Sequence, residues 1–192
     1  MLSAVIDTGY NSTRLCIYQV FPNDTFRIIG STKSFLRLGE DVKEGYPIPE
    51  GKVVEAEKLF KEFKKVIEKK KVGEVKLLGT SAFRYASNGP EVAKRLSDVL
   101  GVEMRVLSGE EEGVFSFLGT VNSLPVDSGA VFDLGGGSLE IVYFSSREVR
   151  EVYHFRLGAL RLSREIKDEK ELRKKVSAEL SVLKKVNGVV VG

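Results

Sequence analysis

The feature that most constrains the fold of this chain is an internal repeat. Residues 4–18 read AVIDTGYNSTRLCIY, and residues 130–143 read AVFDLGGGSLEIVY. At a shift of 126 positions, the first copy's Ala4, Val5, Asp7, Gly9 and Ser12 recur as Ala130, Val131, Asp133, Gly135 and Ser138. Each copy places an acid and a glycine-containing turn between two apolar runs that are typical of buried strands. The sequence therefore predicts two copies of one strand, turn and strand unit.

The spacing of apolar residues predicts the elements around each copy of the repeat. In chain order we expect strands over 2–6, 13–20 and 25–34, a helix over 50–71, a strand over 74–79, a helix from 88 to 101, a strand over 102–107, a helix over 109–120, strands over 129–133, 138–144 and 148–155, a charged helix through 172–183, and a strand from 189. This order is that of a duplicated ribonuclease-H-like fold around a cleft. We predict an α/β protein with a first lobe over 1–125 and a second over 126–192.

Composition limits the classes of function. The chain has 192 residues, is 42% hydrophobic and carries a net charge of only +3, with basic and acidic residues interspersed, so it is globular with no sign of a nucleic-acid partner. Its one cysteine, Cys16, and one histidine exclude an internal disulfide and a Cys and His zinc site. Asp7 interrupts the first apolar run before it could be a signal peptide, and no uncharged stretch reaches the roughly 20 residues of a membrane span. We expect a cytoplasmic protein with no membrane partner.

The two repeated turns have a composition suited to phosphate. A hairpin tip rich in Gly, Ser and Asn can present several backbone N–H groups to one anion without obstruction by a Cβ atom. A carboxylate beside such a loop repels phosphate unless a cation lies between them, which indicates Mg²⁺. The first loop, taken alone, favours a plain tight β-hairpin turn. The recurrence of Asp and Gly in both halves is what indicates phosphate. The lysine-rich KKVIEKKK stretch is interpreted as the solvated face of a helix.

Five ordered motifs resemble those of one family. The segments IDTGYNSTRL, GTSAFRYASNG, LSGEEEG, DLGGGSLEIV and LGALRL are similar, in order and spacing, to the motifs of the exopolyphosphatase and guanosine pentaphosphate phosphohydrolase (Ppx/GppA) family. That family belongs to the actin-like ATPase superfamily, with actin, sugar kinases and heat-shock chaperones. The resemblance implies Mg²⁺-assisted attack of water on the terminal phosphate of polyphosphate or guanosine pentaphosphate.

The resemblance also implies roles for individual residues. Glu112 matches the catalytic glutamate that acts as general base, and Arg84 matches an arginine facing the phosphates. Asp133 and Glu140 match acids that hold Mg²⁺ or water. The two phosphate loops are matched by Asp7, Gly9, Asn11 and Ser12, and by Gly135, Gly136, Gly137 and Ser138. From the residues alone, a purely structural role is equally open for the acidic triplet that ends at Glu112, since acids are favoured at the start of a helix. Only the resemblance selects Glu112.

The chain departs from the family pattern in three places. Val114 stands where an arginine is usual, and Tyr10 replaces a small residue, which would narrow the phosphate channel or offer an aromatic face. Family members continue beyond the final NGVVVG segment, so we expect an incomplete second lobe with uncovered apolar faces and therefore a homodimer or larger assembly. His154 is given no role.

Three classes of function remain open at this point. The first is a phosphohydrolase, with inorganic polyphosphate favoured over guanosine pentaphosphate because no base-binding surface is identified. The second is a non-catalytic polyphosphate or nucleotide sensor, or a fragment. The third is a small-molecule kinase of the same superfamily, ranked last because such kinases need the remainder of the second lobe to hold adenosine.

Overall fold

A computed structural model describes residues 1–23, 25–40, 45–186 and 188–192. Its internal contacts divide the chain into two compact units, Met1–Val106 and Leu107–Gly192. Within the described residues, no helix combines the length and the apolar character that crossing a bilayer requires.

The first unit is a five-stranded mixed sheet with helices. Its elements are β1 (Leu2–Thr8), β2 (Thr13–Val20), β3 (Phe26–Ser34), α1 (Glu50–Lys69), β4 (Glu74–Gly79), α2 (Ser81–Tyr85), α3 (Gly89–Leu100) and β5 (Met104–Val106). The strand order is β3-β2-β1-β4-β5, with β1, β2 and β3 forming an antiparallel meander and β4 and β5 joined in parallel. This arrangement confirms the predicted meander followed by alternating helices and strands.

Alternation along β1 separates a buried face from an exposed one. Ala4, Ile6 and Thr8 are fully buried, whereas Asp7 between them is exposed. Phe60 of α1 and Leu96 of α3 are also fully buried, as expected of helices that carry an apolar stripe on one side. The face opposite the core is therefore exposed at Asp7, near the end of β1, whereas Val5 on that face is half-buried.

The second unit repeats the meander. Its elements are α4 (Gly109–Ser123), β6 (Gly129–Leu134), β7 (Leu139–Ser145), β8 (Glu148–Phe155), α5 (Ala159–Glu165), α6 (Glu169–Glu179), a 3-10 turn (Leu180–Val182) and β9 (Val189–Val191). The strand order is β8-β7-β6-β9, with β9 parallel to β6. In both units the first strand pairs antiparallel with the second and parallel with a later strand, which confirms the predicted duplication.

Helices pack on both faces of the second sheet, although Phe132, Leu134 and Val190 on β6 and β9 stay exposed. Phe117 and Val121 of α4 pack with Val131, Val142 and Phe144 on one face. The other face packs against α5, α6 and the segment after them, in a cluster built on Leu139, Ile141, Phe155, Leu157 and Leu162. Helix α4 belongs by its contacts to the second unit, which begins at Leu107. The lobe boundary at 125 and 126 stays a prediction.

Two short helices, α2 and α5, were not predicted, because five and seven residues give too little periodicity to detect. The predicted long charged helix is divided into α6 and the 3-10 turn. Several large apolar side chains of the second unit are exposed, among them Phe132, Leu134 and Val190.

Candidate active site

The first predicted phosphate loop is the tip of the β1–β2 hairpin. Thr8 and Thr13 are the last registered pair, and the N–H of Gly9 donates to the carbonyl of Ser12 over 2.9 Å. The N–H of Thr80 donates to the carbonyl of Thr8 over 3.1 Å, which holds the end of β4 against the loop. Four predicted residues, Asp7, Gly9, Asn11 and Ser12, therefore lie in or directly beside one tight turn.

Arg84 lies on α2, the short helix that follows this contact. Thr80 is the residue before α2, and a Cβ atom built on Gly9 would come within 3.6 Å of its hydroxyl. The guanidinium carbon of Arg84 lies 5.5 Å from the ring centre of Tyr85, and the residue is half-buried. The structure thus places the helix of Arg84 beside the first loop.

Tyr10 is a core residue of this loop. It is only 4% exposed, and a Cβ atom on Gly39 would lie 2.1 Å from its ring. The N–H of Gly39 donates to the Tyr10 carbonyl, and that of Arg37 donates to the Asn11 carbonyl. Because its ring is buried against Gly39, Tyr10 offers no exposed aromatic face; it anchors the segment that follows β3.

The second predicted phosphate loop is the tip of the β6–β7 hairpin, and its geometry repeats the first. The N–H of Gly135 donates to the carbonyl of Ser138 over 2.9 Å, the same bond as between Gly9 and Ser12. The first turn of α5 holds this loop from behind, since the N–H groups of Ala159 and Leu160 donate to the carbonyls of Gly135 and Gly136.

Glycine at 158 makes this contact possible. A Cβ atom there would lie 2.2 Å from the carbonyl carbon of Gly137, a distance that real Cβ atoms do not show. Arg161, three residues on, is 6% exposed, and its N–H donates to the Gly136 carbonyl. The start of α5 therefore fixes the second loop and places a buried cation on the helix behind it.

A row of ionisable side chains crosses the second sheet next to this loop. Asp133 on β6 is registered with Glu140 on β7, which is registered in turn with His154 on β8. Directly registered residues share a face of the sheet. Glu140 is 2% exposed, and its Oε1 lies 3.6 Å from Nε2 of His154. We call Asp133, Glu140 and His154 the acidic row.

Helix α4 lies across the acidic row and contacts it at three points. A Cβ atom on Gly109 would lie 2.2 Å from the ring of His154, and one on Gly113 would lie 3.5 Å from Cβ of Glu140. The hydroxyl of Ser116 donates to Oδ2 of Asp133 over 2.5 Å. Two glycines at helical spacing thus let the helix backbone approach the row closely.

The acidic triplet at the start of α4 divides into different roles. Glu111 completes a capping box: its N–H donates to the Ser108 hydroxyl over 3.1 Å, and its carboxylate accepts from the Ser108 N–H over 2.8 Å. The capping alternative therefore holds for Glu111. Glu112 is half-buried, lies next to Gly113 and is one turn from Ser116, so it is on the part of α4 that crosses the acidic row.

The donor set is compatible with Mg²⁺. Among the described residues there is no cluster of three or more His, Cys, Asp or Glu side chains able to hold a metal ion. Mg²⁺ ordinarily takes one or two protein carboxylates and completes its shell with water and substrate phosphates. Asp133, oriented by Ser116, and Glu140, a carboxylate buried at 2% exposure, supply such a pair.

Neither the contact of Ser116 nor a role for His154 was predicted from the sequence. The first could have been found from its spacing of four residues after Glu112 on a predicted helix. The second depends on pairing between β7 and β8, which no local pattern specifies.

These features define a class of protein: a duplicated α/β fold whose two units each carry a glycine-containing hairpin loop next to an acid. The profile of the Ppx/GppA phosphatase family matches residues 16–188, and the chain belongs to this family. The predicted family and fold class are thereby confirmed.

Individual relatives agree with this assignment. The chain is 31% identical over 185 residues to exopolyphosphatase 1 of Mycobacterium tuberculosis, covering 92% of this chain and 52% of that protein. It is 30% identical over 171 residues to a bifunctional 3-dehydroquinate synthase/phosphatase of Fusobacterium nucleatum, covering 84% of this chain and 26% of that protein. The chain therefore spans about half, or less, of the curated relatives that it matches.

Solved structures show the same fold. The Ppx/GppA enzyme of Aquifex aeolicus superposes with a TM-score of 0.83 at 33% identity, over 100% of this chain and 67% of that one. An exopolyphosphatase from Cytophaga hutchinsonii superposes with a TM-score of 0.86 at 25% identity, over 94% of this chain and 61% of that one.

Proposed function

We propose that this chain hydrolyses the terminal phosphoanhydride bond of inorganic polyphosphate, or of guanosine pentaphosphate, with Glu112 as general base and Mg²⁺ as cofactor. The observation that carries the proposal is the placement of α4 across the acidic row, with Ser116 bonded to Asp133 and Gly113 against Glu140. Membership of a phosphatase family supports the reaction class, and the name of the mycobacterial relative supports polyphosphate as the substrate.

Asp133 and Glu140 are the residues proposed to hold Mg²⁺, which when bound would offset the negative charge of the substrate phosphates. Ser116 keeps the Asp133 carboxylate in one orientation through its hydroxyl. Glu140 is buried beside His154, whose ring nitrogen lies 3.6 Å away. A buried carboxylate is stabilised by a nearby cation, and this favours metal binding at the row.

Glu112 is proposed to accept a proton from water as the water oxygen bonds to the terminal phosphorus. The bridging P–O bond breaks, inorganic phosphate is formed, and the remaining chain leaves with the bridging oxygen and its charge. The proton on Glu112 then returns to solvent. This role suits a half-buried glutamate on the side of α4 that crosses the acidic row, whereas Glu111 is engaged in the cap.

The two hairpin loops are proposed to bind phosphate groups. Gly9, Asn11 and Ser12, beside Asp7, form the first loop, and Arg84 is proposed to face its phosphates. Gly135, Gly136, Gly137 and Ser138 form the second loop. The matching hydrogen bonds from Gly9 to Ser12 and from Gly135 to Ser138 support an equivalent use of the two turns.

The decisive experiment measures phosphate release from long-chain polyphosphate and from guanosine pentaphosphate, with Mg²⁺ and with EDTA. Glu112→Gln keeps the shape of the side chain but accepts no proton, so we expect at least about a 100-fold loss of kcat. Glu110→Gln is the matched control, since this neighbouring glutamate is exposed, and it should retain activity. If the parent protein binds polyphosphate but releases no inorganic phosphate, the result would instead favour a sensor.

Two further proposals concern the state of the protein. The exposed side chains Phe132, Leu134 and Val190 support pairing of this apolar surface with a second copy of the chain. Elution as a monomer at micromolar concentration in size-exclusion chromatography would contradict this assembly. A cytoplasmic location also remains a proposal, supported by the single buried thiol of Cys16.

A further inference from the structure

A row of charged side chains crosses the face of the first sheet that carries Asp7. Lys33 on β3 is registered with Arg14 on β2, and Arg14 with Asp7 on β1. The same row continues through Leu78 on β4 to Arg105 on β5. All four charged residues are exposed, and registered residues share one face. We call Lys33, Arg14, Asp7 and Arg105 the basic row.

The basic row occupies the same place in its unit as the acidic row does in the other. The repeat that relates Asp7 to Asp133 relates Arg14 to Glu140, and both pairs are registered one step behind the hairpin tip. The duplicated fold thus holds a carboxylate at this position in the second unit and a guanidinium in the first. The guanidinium of Arg14 in the first unit suits an anion directly, whereas the carboxylate of Glu140 in the second unit suits a cation.

The electrostatics of the row favour a bound anion. Arg14 and Lys33 are like charges placed directly opposite each other on antiparallel strands, an arrangement that destabilises a sheet. The row contains three cations and one carboxylate, so its formal charge is positive. An anionic ligand lying along the row would relieve this repulsion.

The dimensions favour a chain of phosphates over a single one. Neighbouring strands are about 4.8 Å apart, so the four intervals from β3 to β5 separate Lys33 from Arg105 by about 19 Å. One phosphate group cannot reach both ends of such a row, but a linear polyanion can. The four residues of the row are not aromatic, and the exposed ring of Phe35 lies 5.1 Å from Nζ of Lys33. Single-stranded nucleic acids are generally bound by stacking successive bases on several aromatic rings.

We propose that the basic row binds the part of a linear polyphosphate that extends beyond the phosphate groups held in the first loop. This inference rests on the proposed function and adds a binding site for the length of the substrate. The row makes the protein prefer long chains, and its contribution is electrostatic, so it weakens as salt rises.

The test uses the double variant Arg14→Gln and Lys33→Gln, with Lys69→Gln and Lys70→Gln as the control. The control removes the same charge from the end of α1. The nearby Gly73 N–H donates to the carbonyl of Leu2, at the opposite end of β1 from the first loop. Calorimetric titration with long-chain polyphosphate and with tripolyphosphate, both in a Glu112→Gln background, measures binding without turnover.

We expect the double variant to bind long chains about 2- to 30-fold more weakly, and tripolyphosphate with a smaller change than long chains. The slope of log affinity against log salt should fall by about 2, one for each lost contact. With Glu112 intact, KM for long chains should rise by a similar factor while kcat stays constant. The control variant should match the parent in every measurement.

The outcomes separate this inference from the proposed function. If the parent hydrolyses polyphosphate but the double variant binds long chains equally well, the basic row is overturned and the hydrolase stands. If the parent releases no phosphate yet binds long chains through Arg14 and Lys33, the row is supported and the hydrolase fails. Displacement of polyphosphate by single-stranded poly(U) at equal charge concentration would overturn polyphosphate as the ligand of the row.

Discussion

Replacing Gly109 with alanine tests how closely α4 approaches the acidic row. The new Cβ atom would lie 2.2 Å from both Cγ and Cδ2 of His154, so the ring or the helix must move by more than 1 Å to reach an ordinary contact of about 3.5 Å. Inserting a methyl group into such a packed site costs about 1–3 kcal/mol. At roughly 2–4 °C per kcal/mol for a chain of this size, Tm should fall by several degrees.

Gly119→Ala is the matched control in the same helix. No atom lies within 4 Å of the Cβ position at Gly119, so alanine there gains helix propensity without a clash. A gain of about 0.5–1 kcal/mol is expected, which raises Tm by roughly 1–4 °C. The same chemical change in one helix should therefore act with opposite sign at the two glycines.

Activity and a double-mutant cycle complete this test. Displacing the start of α4 moves Glu112, and a misplacement of about 1 Å can cost about 100-fold in rate, so kcat of Gly109→Ala should fall while that of Gly119→Ala stays close to the parent. In a His154→Ala background the ring is absent, and Gly109→Ala should cost little, giving a coupling energy of about 1–3 kcal/mol between the two sites. Equal stabilisation by both alanines would refute the close contact between Gly109 and His154.

Two further predictions concern single contacts. Ser116→Ala removes the hydroxyl that donates to Asp133 and should raise the Mg²⁺ concentration for half-maximal activity by about two- to tenfold. Ser116→Thr keeps a hydroxyl and should restore the parent value. An unchanged Mg²⁺ requirement in the alanine variant would contradict the positioning role of Ser116. The hydrogen bond from Arg95 lowers the pKa of Glu50, so the charged pair stabilises the fold above the unfolded pKa of about 4.3 and stops doing so as pH falls through the lowered value. Glu50→Gln should therefore lower Tm slightly at pH 7, and the gap to the parent should close in acid. Glu62→Gln, at an exposed pair within one helix, should show a smaller gap at pH 7.

Features that depend on residues a few positions apart were predictable from the sequence. The repeat of Asp7 at Asp133, with a glycine two residues later, was sufficient to locate both hairpin tips. The pattern Ser108 to Glu111 predicted the start of α4, and the capping box forms there. Such signals are readable because turns, caps and amphipathic helices are specified by residues a few positions apart.

Contacts between side chains that are distant in the sequence were not predictable, because they form only when sheets and helices pack together. Ser116 reaches Asp133 across 17 positions, and His154 faces Glu140, because strand register and helix docking are set by packing between distant segments. The burial of Tyr10 against Gly39 likewise depends on a loop almost 30 residues away. The opposition of Arg14 and Lys33 follows from the pairing of β2 with β3, which runs through a register shift that no spacing in the sequence reveals. The two hairpin loops were thus predictable from local sequence signals. The acidic row and the basic row form only when the strands of each sheet pair, so no local signal predicts them.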